Sequence, residues 1–232
     1  MRIDIVWDQY WPNSIKSSTR QNRGTGVRTK VSPHTKMPKN MKNFLLVSEN
    51  KTELFDYISQ VVEEHNFPEG KSVFITKGQE VISKNTDHEM EICTHEEADT
   101  RIMVHILHAI QQGAKKIIVR TVDTDVLVIL IGQFFYLQHL CSLIDLWIAF
   151  GVGKNYCFYS INHIALYLGE RTPNALPMFH AFTGCDTTSF FRKGKKIAWQ
   201  SWKSCLSVTD AFLAVRNKPF QEIRTESEEF KL

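Results

Sequence analysis

The sequence predicts an α/β protein with a mainly parallel central sheet flanked by helices. Three features of the 232-residue chain lead there. Short apolar runs of strand character alternate with segments of helical period, the order from which parallel sheets are built. The run Lys115 to Val122 reads as a strand buried on both faces. A hydrophobic content of 43% supports one good core, so a single domain over residues 1–215 with a polar tail at 216–232 is expected.

Taken in order, Ile3, Ile5 and Trp7 alternate with Asp4, Val6 and Asp8, a strand with an acid at its C-terminal tip. Residues 11–43 are rich in Lys, Arg, Ser, Thr, Asn, Gly and Pro with little apolar period, and read as a mobile basic excursion. A capping box of Asn50 and Glu53 opens a helix whose apolar face is Leu54, Phe55, Ile58, Val61, Val62 and His65; Pro68 and Gly70 end it. Val73 to Thr76 is a short strand, followed by a polar linker. A helix runs from about His95 to Gln112 on the stripe Ala98, Ile102, Ile106 and Ile110, and Gly113 stops it.

The strand Lys115 to Val122 then delivers Asp123-Thr124-Asp125, and Val126 to Leu140 is apolar enough for a buried helix. Leu146 to Phe150 and Tyr156 to Tyr159 are strands on either side of a Gly-rich turn. Ile161 to Leu168, Ala175 to Phe182 and Lys193 to Trp202 are helices, and the polar tail begins near Arg216.

Net charge is +3, but its distribution says more: residues 1–42 hold nine Lys and Arg against two Asp, while the remainder is net acidic. The five cysteines, Cys93, Cys141, Cys157, Cys185 and Cys205, form no CxxC pair, a pattern that suits reduced thiols rather than a disulfide or zinc framework. An intracellular protein is expected, with the nucleus as its compartment. No apolar stretch follows a basic start, which argues against a secretory signal. Gln133, Gln138, His139 and Asp145 interrupt the apolar region 126–150, so a buried helix and strand are expected there rather than a membrane span.

Functional groups of open parallel sheets gather beyond the carboxyl ends of the strands, where Asp8 and the pair Asp123/Asp125 fall. Glu97 and Asp99 open a helix, and Asp186 follows Thr183-Gly184-Cys185, where the glycine permits a tight turn. Six converging carboxylates would repel one another unless cations lay between them, and hard oxygen ligands specify Mg²⁺ or Mn²⁺. Two such ions about 4 Å apart suit phosphodiester hydrolysis. Each acid has a structural alternative: Thr94 with Glu97 forms a capping box, Glu97 can pair with Arg101, and Asp186 can cap the next helix.

The order of these pieces resembles the flap-endonuclease family of PIN-like 5′ nucleases. The matching residues are Asp8, the segment Glu97-Ala98-Asp99, Asp123-Thr124-Asp125 and Gly184-Cys185-Asp186, spread over nearly the whole chain. The resemblance implies that Asp8, Glu97, Asp99, Asp123, Asp125 and Asp186 are catalytic metal ligands. The run from Thr183 to Ala198 also looks like the family's helix-hairpin segment, expected over 183–203, whose glycine turn grips duplex phosphates; Gly194, Lys195 and Lys196 are the matching residues. Lys16, Arg20 and Arg23 resemble the basic residues of the family's helical arch, which would occupy 11–43. The implied partner is nucleic acid, DNA with a single-strand/duplex junction, and the implied reaction is metal-dependent hydrolysis of its phosphodiesters.

The sequence departs from the family pattern at two places. A strand with another metal-binding Asp precedes, in the family, the one that Asp8 ends, so a truncated or divergent member is expected. Arg192-Lys193-Gly194 stands where the helix-hairpin turn would have Gly-x-Gly.

Among other candidates, His105 and His108 have metal-ligand spacing but no third nitrogen or sulfur ligand nearby, and His95 and His180 flank the acids. Trp199 and Trp202 sit at helical spacing that favours core over base stacking. Two rival readings stand beside the nuclease: a catalytically inactive PIN-like module that binds nucleic acid, and a glycosyl or phosphoryl transferase whose Asp-x-Asp holds a metal with a nucleotide diphosphate.

Overall fold

The structure, a computed structural model, describes residues 1–11, 26–185, 194–205 and 207–217. The α/β class holds. The described residues form two compact units, one over Met1–His108 and one from Ala109 onward, each built on its own three-stranded sheet.

In the first unit, β1 (Arg2–Ile5) pairs in parallel with β2 (Ser72–Lys77), and β2 pairs antiparallel with β3 (Glu80–Lys84). Val73, Phe74, Ile75 and Thr76 make β2 the buried centre. The unit also contains α1 (Met41–Phe44), α2 (Ser48–Glu64) and most of α3 (Ala98–Gln111), a helix within which the unit boundary falls. The hydroxyl of Ser59 on α2 donates to the Thr76 carbonyl at 3.0 Å, and Phe55 stacks on Trp7 with ring centroids 4.5 Å apart. Asp4 on β1 takes hydrogen bonds from Arg2 at 2.7 Å and from His105 of α3 at 2.8 Å, which ties strand to helix.

Asn50 acts differently from the expected capping box. The helix opens two residues earlier, at Ser48, and Asn50 is fully buried in its first turn. Its amide donates to the carbonyls of Val27 (2.8 Å) and Phe44 (3.0 Å), while its oxygen accepts from the Thr29 N–H (2.9 Å). Glu53 binds the Val31 N–H and the Arg28 guanidinium. An amide at that position satisfies three backbone groups of the entering chain where a cap satisfies one, so the residues after Gly26 are pinned rather than forming a mobile excursion.

The second unit repeats the strand pattern. Its strands β4 (Lys116–Thr121) and β5 (Asp145–Phe150) are parallel, and β6 (Cys157–Ser160) returns antiparallel to β5. Between β4 and β5 runs the buried helix α4 (Thr124–Leu140), with Val126, Leu130, Ile131, Phe134 and Leu137 inward. After β6 follow α5 (Ile161–Leu168), α6 (Arg171–Thr183), α7 (Lys195–Ser204) and α8 (Ser207–Asn217). Trp202 stacks on Phe179 of α6 at 4.7 Å and donates to Thr209 of α8 at 2.9 Å; Trp199 meets Phe179 edge-on at 5.6 Å. Both tryptophans belong to this aromatic core.

A mainly parallel sheet is therefore corrected: each sheet among the described residues is mixed. The reason is local. The two residues Gly78 and Gln79 turn β2 into β3, and a short 3-10 turn over Gly153–Asn155 precedes β6, links too short for the crossover that a parallel pair needs. Both third strands lie at sheet edges; β3 falls in the region expected to be a polar linker. None of the five cysteines is in a disulfide, and no helix among the described residues is long and apolar enough to cross a membrane.

Candidate functional site

In the first unit Asp8 lies three residues beyond β1. One of its oxygens accepts from the Ala98 N–H at 2.8 Å and the other from the Tyr10 hydroxyl at 3.1 Å, while the Gln9 N–H donates to the Glu96 carbonyl at 2.7 Å. Asp8 and Gln9 are thereby laced to the start of α3, where Glu97 immediately precedes the helix and Asp99 lies in its first turn. Asp8 thus supplies the first turn of α3 with an acceptor from a distant part of the chain, the work an N-cap does. The Thr100 hydroxyl and the Arg101 N–H both bond to the Glu97 carbonyl.

Beneath this end of α3, Arg101 is buried and donates to the Gly78 carbonyl at 2.8 Å. Burial lowers its pKa, offset in part by Cys93 and Asp8. The same guanidinium nitrogen also reaches the Trp7 carbonyl at 3.5 Å, so it links the β2–β3 turn to the segment after β1. His105 is spent on Asp4, and the His108 ring packs edge-on against Phe74 at 5.4 Å, its pKa lowered first by burial and then by Arg2. These two histidines serve the core of the unit.

In the second unit the pair Asp123/Asp125 stands just past the carboxyl end of β4, where the parallel pair β4–β5 opens. Asp123 is the N-cap of α4: its Oδ1 accepts from the Asp125 N–H at 2.9 Å, and its own N–H donates to the Thr121 hydroxyl at 3.0 Å. Carboxylate oxygens of Asp123 and Asp125 lie within 4.8 Å of each other. Asp123 is exposed and Asp125 half-buried. His180 on α6 reaches Asp125, with Nε2 2.9 Å from Oδ1, and the Lys195 ammonium lies 2.9 Å from Nδ1 of the same ring. Gly194 is the N-cap residue of α7, followed by Lys195 and Lys196.

The chain matches no family model, no curated protein and no solved structure. Function therefore rests on the site's chemistry and on the sequence motifs.

Of the sequence candidates, Asp8, Glu97 and Asp99 share one end of α3, and Asp123 with Asp125 share the start of α4. Lys16, Arg20, Arg23 and Asp186 lie outside the described residues. Gly184, which precedes Asp186, ends α6 at φ +145°, a value only glycine adopts without strain, in keeping with the tight turn expected there. The sequence reading left His180 aside and gave Lys195 to a duplex grip; no spacing rule connects residues 125, 180 and 195, which the packing of α4, α6 and α7 joins.

Proposed function

We propose that this chain is a divalent-metal-dependent nuclease of the PIN-like, flap-endonuclease class, hydrolysing phosphodiesters at 5′ ends or single-strand/duplex junctions of DNA. The observation that carries the reading is the Asp123/Asp125 pair: two carboxylates within 4.8 Å, reachable by solvent, just past the carboxyl end of a parallel strand pair, with Lys195 on the His180 ring that Asp125 bonds. The donor set fits Mg²⁺ or Mn²⁺, the grouped ligand atoms among the described residues being carboxylate oxygens. Bound there, such an ion would lower the pKa of a coordinated water and offset phosphate charge. Asp123 and Asp125 would hold it, with Asp8, Glu97, Asp99 and Asp186 as the further ligands that the motif order suggests. A PIN-like arrangement of the strands and a nuclear location belong to the same proposal.

The capping roles of Asp8 and Asp123 favour a second reading, in which the acids survive as helix caps in a module that binds nucleic acid without cleaving it. One experiment separates the two: a labelled 5′-flap and single-strand panel with Mg²⁺ or Mn²⁺, for the native chain and for Asp123→Asn/Asp125→Asn. Asparagine is as good an N-cap as aspartate, so the fold is kept while the charge is lost. Cation-dependent cleavage that disappears in the variant supports the nuclease; binding with no cleavage by either chain supports the inactive module.

A further inference from the structure

The acids of the second unit are supported by a chain of side chains that begins on α7. The Lys195 ammonium lies 2.9 Å from Nδ1 and 3.2 Å from Nε2 of the His180 ring, distances that place it over the ring face rather than on the lone pair of one nitrogen. Nε2 of the same ring is 2.9 Å from Asp125 Oδ1, and because an ionised carboxylate only accepts, it is the ring N–H that donates to Asp125. His180 thus stands between the other two, donating to the Asp125 carboxylate and carrying the Lys195 ammonium against its ring.

Such a chain is more than a way to satisfy buried groups. The Asp125 side chain is 30% exposed and the His180 side chain 12%, and a partly exposed pair of this kind adds little stability by itself. What it does is fix orientation. With Oδ1 held by the imidazole, Oδ2 and the remaining lone pairs of Asp125 keep a set direction beside Asp123. Lys195 spends one donor on the ring and has two more.

The packing underneath sets the reach. Gly132 lies seven residues, two turns, beyond Asp125 on α4, and Pro177 lies three before His180 on α6. A Cβ at Gly132 would overlap the Pro177 ring at its Cγ. The absence of a side chain at 132 therefore lets α6 come close enough for the imidazole to meet the carboxylate.

We propose that His180 is a positioning residue that fixes Asp125 for a divalent cation and holds Lys195 for a phosphate oxygen of the same nucleic-acid ligand. Lys195 then belongs to the carboxylate site and not to a separate grip on duplex backbone. This rests on the metal-dependent reading above and goes beyond it in naming the support of the site and its phosphate contact.

The test uses the full chain and two probes. The first is Mn²⁺ alone, titrated by the paramagnetic resonance signal of the free ion, for the native chain, His180→Leu, His180→Gln and Lys195→Gln. Polar groups that orient metal ligands typically change affinity by about 10- to 100-fold, so His180→Leu is expected to weaken Mn²⁺ binding by at least ~10-fold. Glutamine can present an amide N–H to Asp125 as the imidazole does, so His180→Gln should stay within about threefold of the native chain. Lys195→Gln should bind Mn²⁺ at least as tightly, having lost a neighbouring positive charge. The second probe is a short single-stranded oligonucleotide in Ca²⁺, which Lys195→Gln should bind ~10-fold more weakly.

Native affinity in His180→Leu overturns the inference, as does a His180→Gln variant as weak as His180→Leu. Native affinity of Lys195→Gln for the single-stranded oligonucleotide overturns the assignment of Lys195. If the native chain itself binds no Mn²⁺, the metal-dependent reading falls and this inference with it, an outcome distinct from the other three.

Discussion

Asp8 has two roles that a pair of substitutions can pull apart. Its Oδ1 caps α3 through the Ala98 N–H, and its Oδ2 takes the Tyr10 hydroxyl. Alanine removes both acceptors: loss of a side-chain cap costs ~1 kcal/mol, and loss of a negative charge at a helix N-terminus adds ~0.3–1 kcal/mol. Asp8→Ala should therefore unfold in urea with stability lower by about 1–2 kcal/mol. Asparagine keeps the acceptor and loses only the charge, so Asp8→Asn should fall by no more than ~0.3–1 kcal/mol. If Asp8 is also a metal ligand, Asp8→Asn loses cation-dependent cleavage while remaining folded. Asp8→Ala as stable as the native chain would refute the capping geometry. Asp8→Asn that cleaves normally would refute the ligand role and leave Asp8 a cap.

The close approach at Gly132 predicts that Gly132→Ala destabilises in spite of alanine's better helix propensity. Overpacking costs about 1–3 kcal/mol against a propensity gain of ~1 kcal/mol, and a thermal melt above the native one would contradict the contact. Asn50→Ala strands the buried Phe44 carbonyl, which costs ~1–3 kcal/mol, and releases the part-buried Val27 carbonyl and Thr29 N–H, which water can reach at lower cost; a total loss of about 2–4 kcal/mol in urea denaturation is expected, with new proteolytic sensitivity near Arg28. Asp4 gives a pH signature. Burial pushes its carboxyl up, but the hydrogen bonds from Arg2 and His105 outweigh this and hold it below its usual value. Its unfolded pKa is ~3.9, so its contribution is fully present above that pH and is lost as pH falls through the lower folded value. Denaturation across pH 5 to 2 should show stability falling below about pH 4, and Asp4→Asn should flatten that slope.

The α/β class and most elements were legible because they rest on period alone. The helix over Ala98–Gln111 and the buried helix after Asp123 lie where the apolar pattern puts them. Strand pairing was not legible, because a sheet's parallel or antiparallel sense depends on which strand returns beside which. The strand Glu80–Lys84 escaped notice for a related reason: EVISK has two apolar residues and two charged ones at a sheet edge, and the β2 partner makes it a strand. Helix Ser207–Asn217 was missed because its anchor, Thr209, is polar and is buried by the Trp202 indole rather than by apolar surface.

The acids were legible as a set but not in their individual duties. A carboxylate two residues ahead of a helix N–H is indistinguishable in sequence from one aimed at a cation, since both follow strand ends and precede helices. Asp123 illustrates this: as N-cap of α4 it binds the Asp125 N–H through one oxygen and stays exposed with the other. Capping and ligation are then compatible, because a carboxylate has about four lone-pair sites and the cap uses one. The rigidity that a cap imposes is also what a metal ligand needs, so the structural role does not compete with the catalytic one but prepares for it. Asp125 has no cap to hold it and instead takes His180, a residue 55 positions away, which is why the sequence showed the carboxylates and not the imidazole that steadies one of them.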